Sequence, residues 1–167
     1  LLGKEYVVRN FGDSGRGVVN RSMKGREKRA YVFMPEHEQA MEFQPDIVIC
    51  NLGINDLMDW DAFGKDDFVD DYRSLIQSYK ELPWQPRVIV WNRLAPLFPG
   101  QAFYGNGNVD EINDAIGQAA KLEGVESVDL EELLKKHGNW FPDHLHPNAE
   151  GAKAIAEVVA AYLSEEK

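Results

Sequence analysis

Residues 46–57 read DIVICNLGINDL, an almost continuously apolar run that ends in a turn-forming sequence. A parallel strand that helices cover on both faces has this composition, because neither of its faces meets water. A second run of the same kind, RVIVWN, occupies residues 87–92. The runs YVV at residues 6–8 and VESVDL at residues 125–130 are shorter or less apolar. We predict a strand at each of these four places.

Apolar residues at helical spacing separate the predicted strands. The clearest stripe covers residues 68–79 and stops just before a proline, and further stripes predict helices around residues 112–119, 130–134 and 152–162. This alternation predicts an α/β fold with a mostly parallel sheet. The length suits one hydrophobic core, and we predict a single domain over residues 1–167.

The charge balance argues against one class of partner. The chain has 18 Lys and Arg residues against 28 Asp and Glu residues, with a net charge of −10. Such a chain repels a phosphate backbone, so we predict no nucleic-acid partner. No apolar stretch approaches the ~20 residues that span a bilayer, and we predict no membrane partner. The single cysteine, Cys50, lies inside DIVIC, so we expect a buried thiol and no internal disulfide.

The motif FPDHLHPNAEG, residues 141–151, carries the clearest chemistry. Asp143 and His146 lie three residues apart, in a loop that precedes a helix with Asn148 as its expected cap. A carboxylate that accepts the Nδ1 proton of an imidazole leaves Nε2 free as a general base and stabilises the imidazolium that forms. Metal binding by His144 and His146 is the competing interpretation. No third well-placed ligand accompanies them, and we predict no metal.

Two other turns supply candidate site residues. NLGINDL ends the first long apolar run; there Gly53 lets the backbone approach a ligand, and Asn55 can offer its side-chain NH₂ to a developing oxyanion. FGDSG, residues 11–15, follows the run YVV, and its lettering makes Ser14 a candidate nucleophile. Both turns follow predicted strands.

Two segments without a clear period, residues 12–35 and 93–108, also follow predicted strands. Loops at the carboxyl ends of strands build the ligand crevice in open α/β sheets, so we expect these two segments to be the walls of a site. Plain connecting loops remain the alternative. Four aromatic residues are candidates either for the acceptor side of that crevice or for the core: Trp91, Phe98, Phe103 and Tyr104.

Together, and in this order, the three motifs resemble those of the SGNH hydrolases, also called the GDSL-like esterase superfamily. DHLHP (143–147) matches the family's Asp-x-x-His-Pro block, and LGINDL (52–57) matches its Gly-x-Asn-Asp block. NFGDSG (10–15) matches the turn written Asn-x-Gly-x-Ser-Gly, which supplies the oxyanion glycine. The resemblance covers almost the whole chain and implies a three-layer α/β/α, flavodoxin-like fold.

The resemblance also implies a role for each site residue. Asp143 would orient His146, the general base, while the backbone N–H of Gly15 and the side chain of Asn55 would hold the oxyanion. No cofactor is implied. The phrases FQPDIVICNLGIND and FPDHLHPNAEGAKAIA look most like carbohydrate acetyl-esterases of the acetylxylan and sialate O-acetylesterase type. The implied reaction is hydrolysis of a short-chain ester on a small molecule or a carbohydrate, through an acyl-enzyme.

The position of the nucleophile is open between two interpretations. In the family, a Gly-Asp-Ser turn ends the first strand, and a helix and a second strand follow before the oxyanion-glycine turn. Residues 16–52 leave no room for that unit, because a βαβ unit needs ~30 residues by itself. We therefore expect the chain to lack the family's first strand and helix, with the catalytic serine upstream of Leu1. The alternative keeps Ser14 as the nucleophile, with Asp143 and His146 as its partners.

The expected gap has consequences for partners and for function. A missing strand would expose apolar edges, so we expect the chain to pair with a missing N-terminal segment or with itself. A secreted or periplasmic location is compatible with the resemblance. The alternative to an esterase is a non-catalytic carbohydrate-binding relative that keeps the crevice and has lost its nucleophile.

Overall fold

Three parallel strands form the sheet of the computed structural model, which describes residues 1–20, 29–91, 109–134, 136–143 and 145–164. Within these ranges the strands and helices follow one another along the chain. The strands are β1 (Ile47–Cys50), β2 (Arg87–Trp91) and β3 (Glu126–Val128). The helices are α1 (Pro35–Glu42), α2 (Trp60–Lys80), α3 (Val109–Glu123), α4 (Glu131–Leu134) and α5 (Ala149–Ser164).

The sheet order is β1–β2–β3, with Ile49 opposite Ile89 and Val90 opposite Ser127. Helix α2 lies between β1 and β2 in the chain, and α3 lies between β2 and β3. Parallel strands need such crossovers, and helices usually supply them. The predicted α/β fold with a parallel sheet is confirmed.

Side chains of β2 alternate between two hydrophobic clusters. Val88 and Val90 belong to the cluster built with α2 and α3, while Ile89 belongs to the cluster built with Leu163 of α5. The central strand is therefore covered on both faces, as its unbroken apolar sequence predicted. Each large side chain of this kind stabilises the fold by about 1.5–3 kcal/mol when it is fully buried.

The helices agree with the apolar stripes, with two differences. Helix α2 starts at Trp60, earlier than the predicted stripe, and its backbone departs from helical geometry at Gly64. No apolar stripe predicts α1, in which only His37 and Ala40 are buried. At α5 the expected cap is present, because Asn148 Oδ1 accepts the backbone N–H of Gly151 at 2.9 Å.

The strand predicted at residues 6–8 is wrong: the structure has no strand there. Val7 and Val8 are 65% and 69% exposed, as expected for a segment that is not part of a sheet. A strand forms only where a neighbour satisfies its backbone groups, and β-propensity alone does not provide that neighbour. The prediction at residues 125–130 holds over the shorter span of β3.

Two further expectations concern Cys50 and membranes. Cys50 is buried in the larger cluster, as predicted, and burial raises the pKa of its thiol to about 12, so the sulfur stays protonated and inert. Among the described helices, none combines the length and the apolar character that crossing a bilayer requires.

Candidate active site

Asp143 and His146 form a hydrogen-bonded pair. His146 Nδ1 lies 2.6 Å from Asp143 Oδ2, while Asp143 Oδ1 accepts the backbone N–H groups of Leu145 at 2.9 Å and of His146 at 2.7 Å. An ionised carboxylate can only accept, so this contact places the imidazole proton on Nδ1 and leaves Nε2 as the basic nitrogen. The structure brings together the two residues that their spacing predicted.

The surroundings of the pair keep its carboxylate charged. The hydrogen bond from the His146 side chain, and then the two backbone N–H groups, lower the pKa of Asp143 well below its ordinary value. The His146 side chain is 75% exposed, so a molecule from solvent can reach its Nε2 atom. Asp143 therefore remains ionised across the mildly acidic and neutral range, with His146 held in one tautomer.

Leu145 anchors the loop that carries the pair. It packs against the larger hydrophobic cluster, and Phe11 of FGDSG and Ile54 of NLGINDL pack against the same cluster. The loop follows β3 and precedes α5 in the chain, which places it after the carboxyl end of a parallel strand. All three motifs therefore pack against one hydrophobic cluster beside the sheet.

The turn after β1 places Asn55 against the FGDSG loop. Gly53 adopts φ 128°, a backbone region that side-chain-bearing residues rarely enter, and begins the 3₁₀ turn Ile54–Asp59. Asn55 Nδ2 donates to the backbone oxygen of Arg16 at 3.0 Å. The structure thus holds Asn55 against Arg16, which directly follows Gly15, the other residue expected at the oxyanion position.

The FGDSG loop presents Gly15 at the surface. Gly15 has φ 77°, its carbonyl oxygen accepts from Arg29 Nη2 at 3.0 Å, and no atom lies within 4 Å of the place a Cβ would occupy. A side chain here would be strained by the backbone and not by lack of space. Ser14 is exposed beside it, and in the described part of the chain it makes no hydrogen bond to His146.

Asp56 is a buried carboxylate that the sequence analysis missed. Its Oδ1 accepts the backbone N–H groups of Val18 and Val19, both at 3.0 Å, and its Oδ2 accepts that of Val18 at 2.9 Å. Burial raises its pKa to about 6, against the opposing effects of these two amides and of Arg29. Its position directly after Asn55, in a turn that ends a buried strand, was the one available signal.

Several of the remaining residues singled out from the sequence lie outside the described part of the chain. Trp91 packs against the cluster that contains Ile89, which agrees with the core interpretation. Phe98, Phe103, Tyr104, His144 and the loop 93–108 lie outside the described residues. Within the described ranges, no three His, Cys, Asp or Glu side chains are grouped closely enough to hold a metal ion.

The sequence matches a known family over most of its length. A model of the GDSL-like lipase/acylhydrolase family matches residues 2–154. The acetylxylan esterase of Xylanibacter ruminicola is 27% identical over 183 aligned positions, which cover 98% of this chain and 37% of that protein. The chain thus spans little more than a third of the length of this curated relative.

Two solved structures share the fold. One is the crystal structure of an acetyl xylan esterase, AlAXEase, with a TM-score of 0.62 and 16% identity, covering 78% of this chain and 73% of that chain. The other has a TM-score of 0.64 and 20% identity, covering 91% of this chain and 74% of that chain. At these identities the likeness concerns the fold alone.

Proposed function

Since the chain belongs to the GDSL-like lipase/acylhydrolase family, we propose that it supplies the base and the oxyanion site of an enzyme that hydrolyses acetyl esters on a carbohydrate. The observation that carries the proposal is the contact of 2.6 Å between His146 Nδ1 and Asp143 Oδ2. It gives an exposed imidazole whose Nε2 is basic and directed by a charged carboxylate. The names of the relatives support acetylated xylan as the substrate, and the family supports carboxylic ester hydrolysis in general.

The proposed reaction has two halves, and each uses the same groups. A serine hydroxyl attacks the acetyl carbonyl while His146 Nε2 takes its proton, and Asp143 stabilises the resulting imidazolium. The oxyanion accepts hydrogen bonds from the Gly15 backbone N–H and from Asn55. The intermediate collapses as His146 returns the proton to the departing sugar hydroxyl. Water then repeats the sequence on the acyl-enzyme and releases acetate.

We propose that the attacking serine lies outside residues 1–167, with Ser14 as the alternative. Ser14 occupies the loop that supplies Gly15, and a single short turn would otherwise have to provide both the nucleophile and the oxyanion amide. A fluorophosphonate probe followed by intact mass and peptide mapping tests this on the chain and on a longer natural polypeptide that contains it. We expect no label on Ser14 and a label on a serine of the longer polypeptide.

Each other result of the labelling experiment has a definite meaning. A label on Ser14 that disappears in His146→Ala would make Ser14 the nucleophile and contradict the assignment of an external serine. Binding of acetylated xylan by the longer polypeptide without labelling or turnover would favour the non-catalytic carbohydrate-binding relative.

We also propose that β1 takes up a further strand at its outer edge, either from a preceding segment or from a second copy of the chain. In the described part of the chain, β1 pairs with β2 only. Ile47 packs against the cluster that contains Ile89, but Ile49, on the same face of β1, is 37% exposed. An apolar strand with an open edge and a partly bare face is a ready template for pairing.

We expect the isolated chain to self-associate and Ile49→Lys to weaken this association by about 10-fold or more, since a charge on the edge strand opposes pairing. Light scattering coupled to size-exclusion chromatography, over a range of concentrations, measures the change. Leu122→Lys is the matched control, because Leu122 is an exposed leucine on α3 and is not part of a strand. A monomeric wild-type chain at every concentration, or an equal effect of both variants, would contradict strand uptake from a second copy of the chain.

A further inference from the structure

The proposed chemistry uses Asn55 but assigns nothing to its neighbour Asp56, whose side chain is 5% exposed. Each of these two residues contacts a different part of residues 16–19, the segment that directly follows FGDSG. Asn55 Nδ2 holds the carbonyl oxygen of Arg16, and the Asp56 carboxylate holds the amides of Val18 and Val19. Both contacts cross a long stretch of sequence, 39 residues for Asn55 and 38 for Asp56 with Val18.

We propose that Asp56 is a positioning residue: its carboxylate fixes the loop that presents the Gly15 amide opposite Asn55. This inference rests on the proposed esterase function, because Gly15 matters as an oxyanion donor only if an ester is hydrolysed. Asp56 itself does not touch the substrate in this scheme. It acts through the backbone of residues 16–19.

Gly17 shows how closely the Asp56 carboxylate approaches the backbone of this segment. A Cβ at Gly17 would lie 2.5 Å from Asp56 Oδ1 and 2.8 Å from its Cγ, closer than real Cβ contacts allow. The carboxylate thus lies directly against the backbone between its partner amides and the Arg16 carbonyl. Gly17 is also fixed on its other side, where its carbonyl oxygen accepts the backbone N–H of Tyr31 at 2.9 Å.

A second buried carboxylate accepts the next backbone N–H along the chain. Asp71, on α2, accepts the backbone N–H of Asn20 at 3.0 Å and is itself buried. Three successive backbone amides, those of residues 18, 19 and 20, are thereby held by two carboxylates. A carboxylate suits such a group of backbone donors, since it offers about four acceptor sites and no donor.

The charges that face Asp56 show that its ionised form costs stability. Arg29 and the amides of the loop favour the carboxylate, whereas burial and Asp59 raise its pKa, from the ordinary 3.8 to about 6. Tyr72 of α2 is a further titratable group whose environment includes Asp56. Because the pKa is raised, the free energy of unfolding decreases as pH rises from 3.8 to about 6, and above that range Asp56 is charged. A group kept charged at such a cost fits a role in positioning.

The test compares Asp56→Asn with Asp61→Asn in the polypeptide on which the fluorophosphonate probe identifies the serine. Asparagine keeps the shape but replaces one carboxylate oxygen by an NH₂ group, which cannot accept from the backbone N–H of Val18. Asp61 is an exposed carboxylate in the first turn of α2. We expect Asp56→Asn to lower kcat for p-nitrophenyl acetate by about 10- to 100-fold, the scale of a small misplacement of a catalytic group, and to leave KM within about threefold. Asp61→Asn should change both constants by less than about threefold.

Hydrogen–deuterium exchange measures the hydrogen bonds from the Val18 and Val19 amides to Asp56 without relying on activity. We expect the amides of Val18 and Val19 to exchange at least about 10-fold faster in Asp56→Asn, while the amide of Val90 in the sheet is unchanged. Asp56→Glu, which keeps the charge but moves it by one methylene, should reproduce the loss in kcat if Asp56→Asn does not fold. An unchanged kcat, or unchanged exchange at both valines, would overturn the inference. If the wild-type polypeptide hydrolyses no ester, the proposed function fails and the positioning role with it, while the exchange result still reports on the loop contact.

Discussion

We expect His146→Ala to lower kcat for acetyl-ester hydrolysis by on the order of 10⁴-fold or more, as removal of the base does in other serine hydrolases. The exposed imidazole has its Nδ1 proton bound to Asp143, so Nε2 is the atom that can take the proton of the attacking serine. Without it, the serine must ionise by itself. Rates with p-nitrophenyl acetate and with acetylated xylan give the size of the loss. They are measured on the polypeptide in which the fluorophosphonate probe identifies the serine.

The matched control is His137→Ala, which removes another histidine of the segment between β3 and α5. The His137 ring stacks on Trp140 at 3.9 Å between centroids, so its loss affects local packing and not the proposed base. We expect that variant to retain activity within about threefold at a temperature where both proteins are folded. Hydrolysis that survives His146→Ala at the wild-type rate would contradict the mechanism.

The state of Asp143 limits how this activity can depend on pH. Its pKa is lowered, so Asp143 stays charged above its ordinary pKa of 3.8. The charge, and the folding stability that it contributes, are lost only as pH falls through the lower pKa in the fold. A loss of activity between pH 5 and pH 7 would therefore belong to another group.

The fold could be predicted where the sequence itself carries the signal. Strand β2 is covered on both faces, and its apolar sequence reflects this directly. Helix α1 was missed because its few buried positions give no stripe. The run at residues 6–8 has the composition of a strand, but pairing depends on a neighbour that a local pattern cannot reveal.

The candidate site divides in the same way. Asp143 and His146 are three residues apart, so their contact is local and could be predicted from spacing. The contact between Asn55 and the FGDSG loop depended on the family resemblance, because it joins distant parts of the chain. The hydrogen bonds that Asp56 accepts from Val18 and Val19 could not be predicted at all. Its partners are backbone amides, which have no signature in the sequence of side chains.

We expect Asn55→Ala to lower kcat by about 10²- to 10³-fold, the usual loss when one oxyanion donor is removed. The side-chain NH₂ group carries two hydrogens. One of them is directed to the Arg16 carbonyl oxygen at 3.0 Å, which leaves the other for the oxyanion. Since the negative charge develops only in the transition state, the loss should appear in kcat and leave KM within about threefold.

Asn51→Ala provides the control for Asn55→Ala, because Asn51 belongs to the same segment after β1 and is exposed. It should retain kcat within about threefold. Asn55→Asp separates the two roles of the amide: it places a negative charge where the oxyanion forms and opposes the Arg16 carbonyl oxygen, so we expect a loss at least as large as in Asn55→Ala. If Asn55→Ala raised KM and left kcat unchanged, the amide would serve ground-state binding or the placement of Arg16. Gly15 would then be the one remaining donor to the oxyanion.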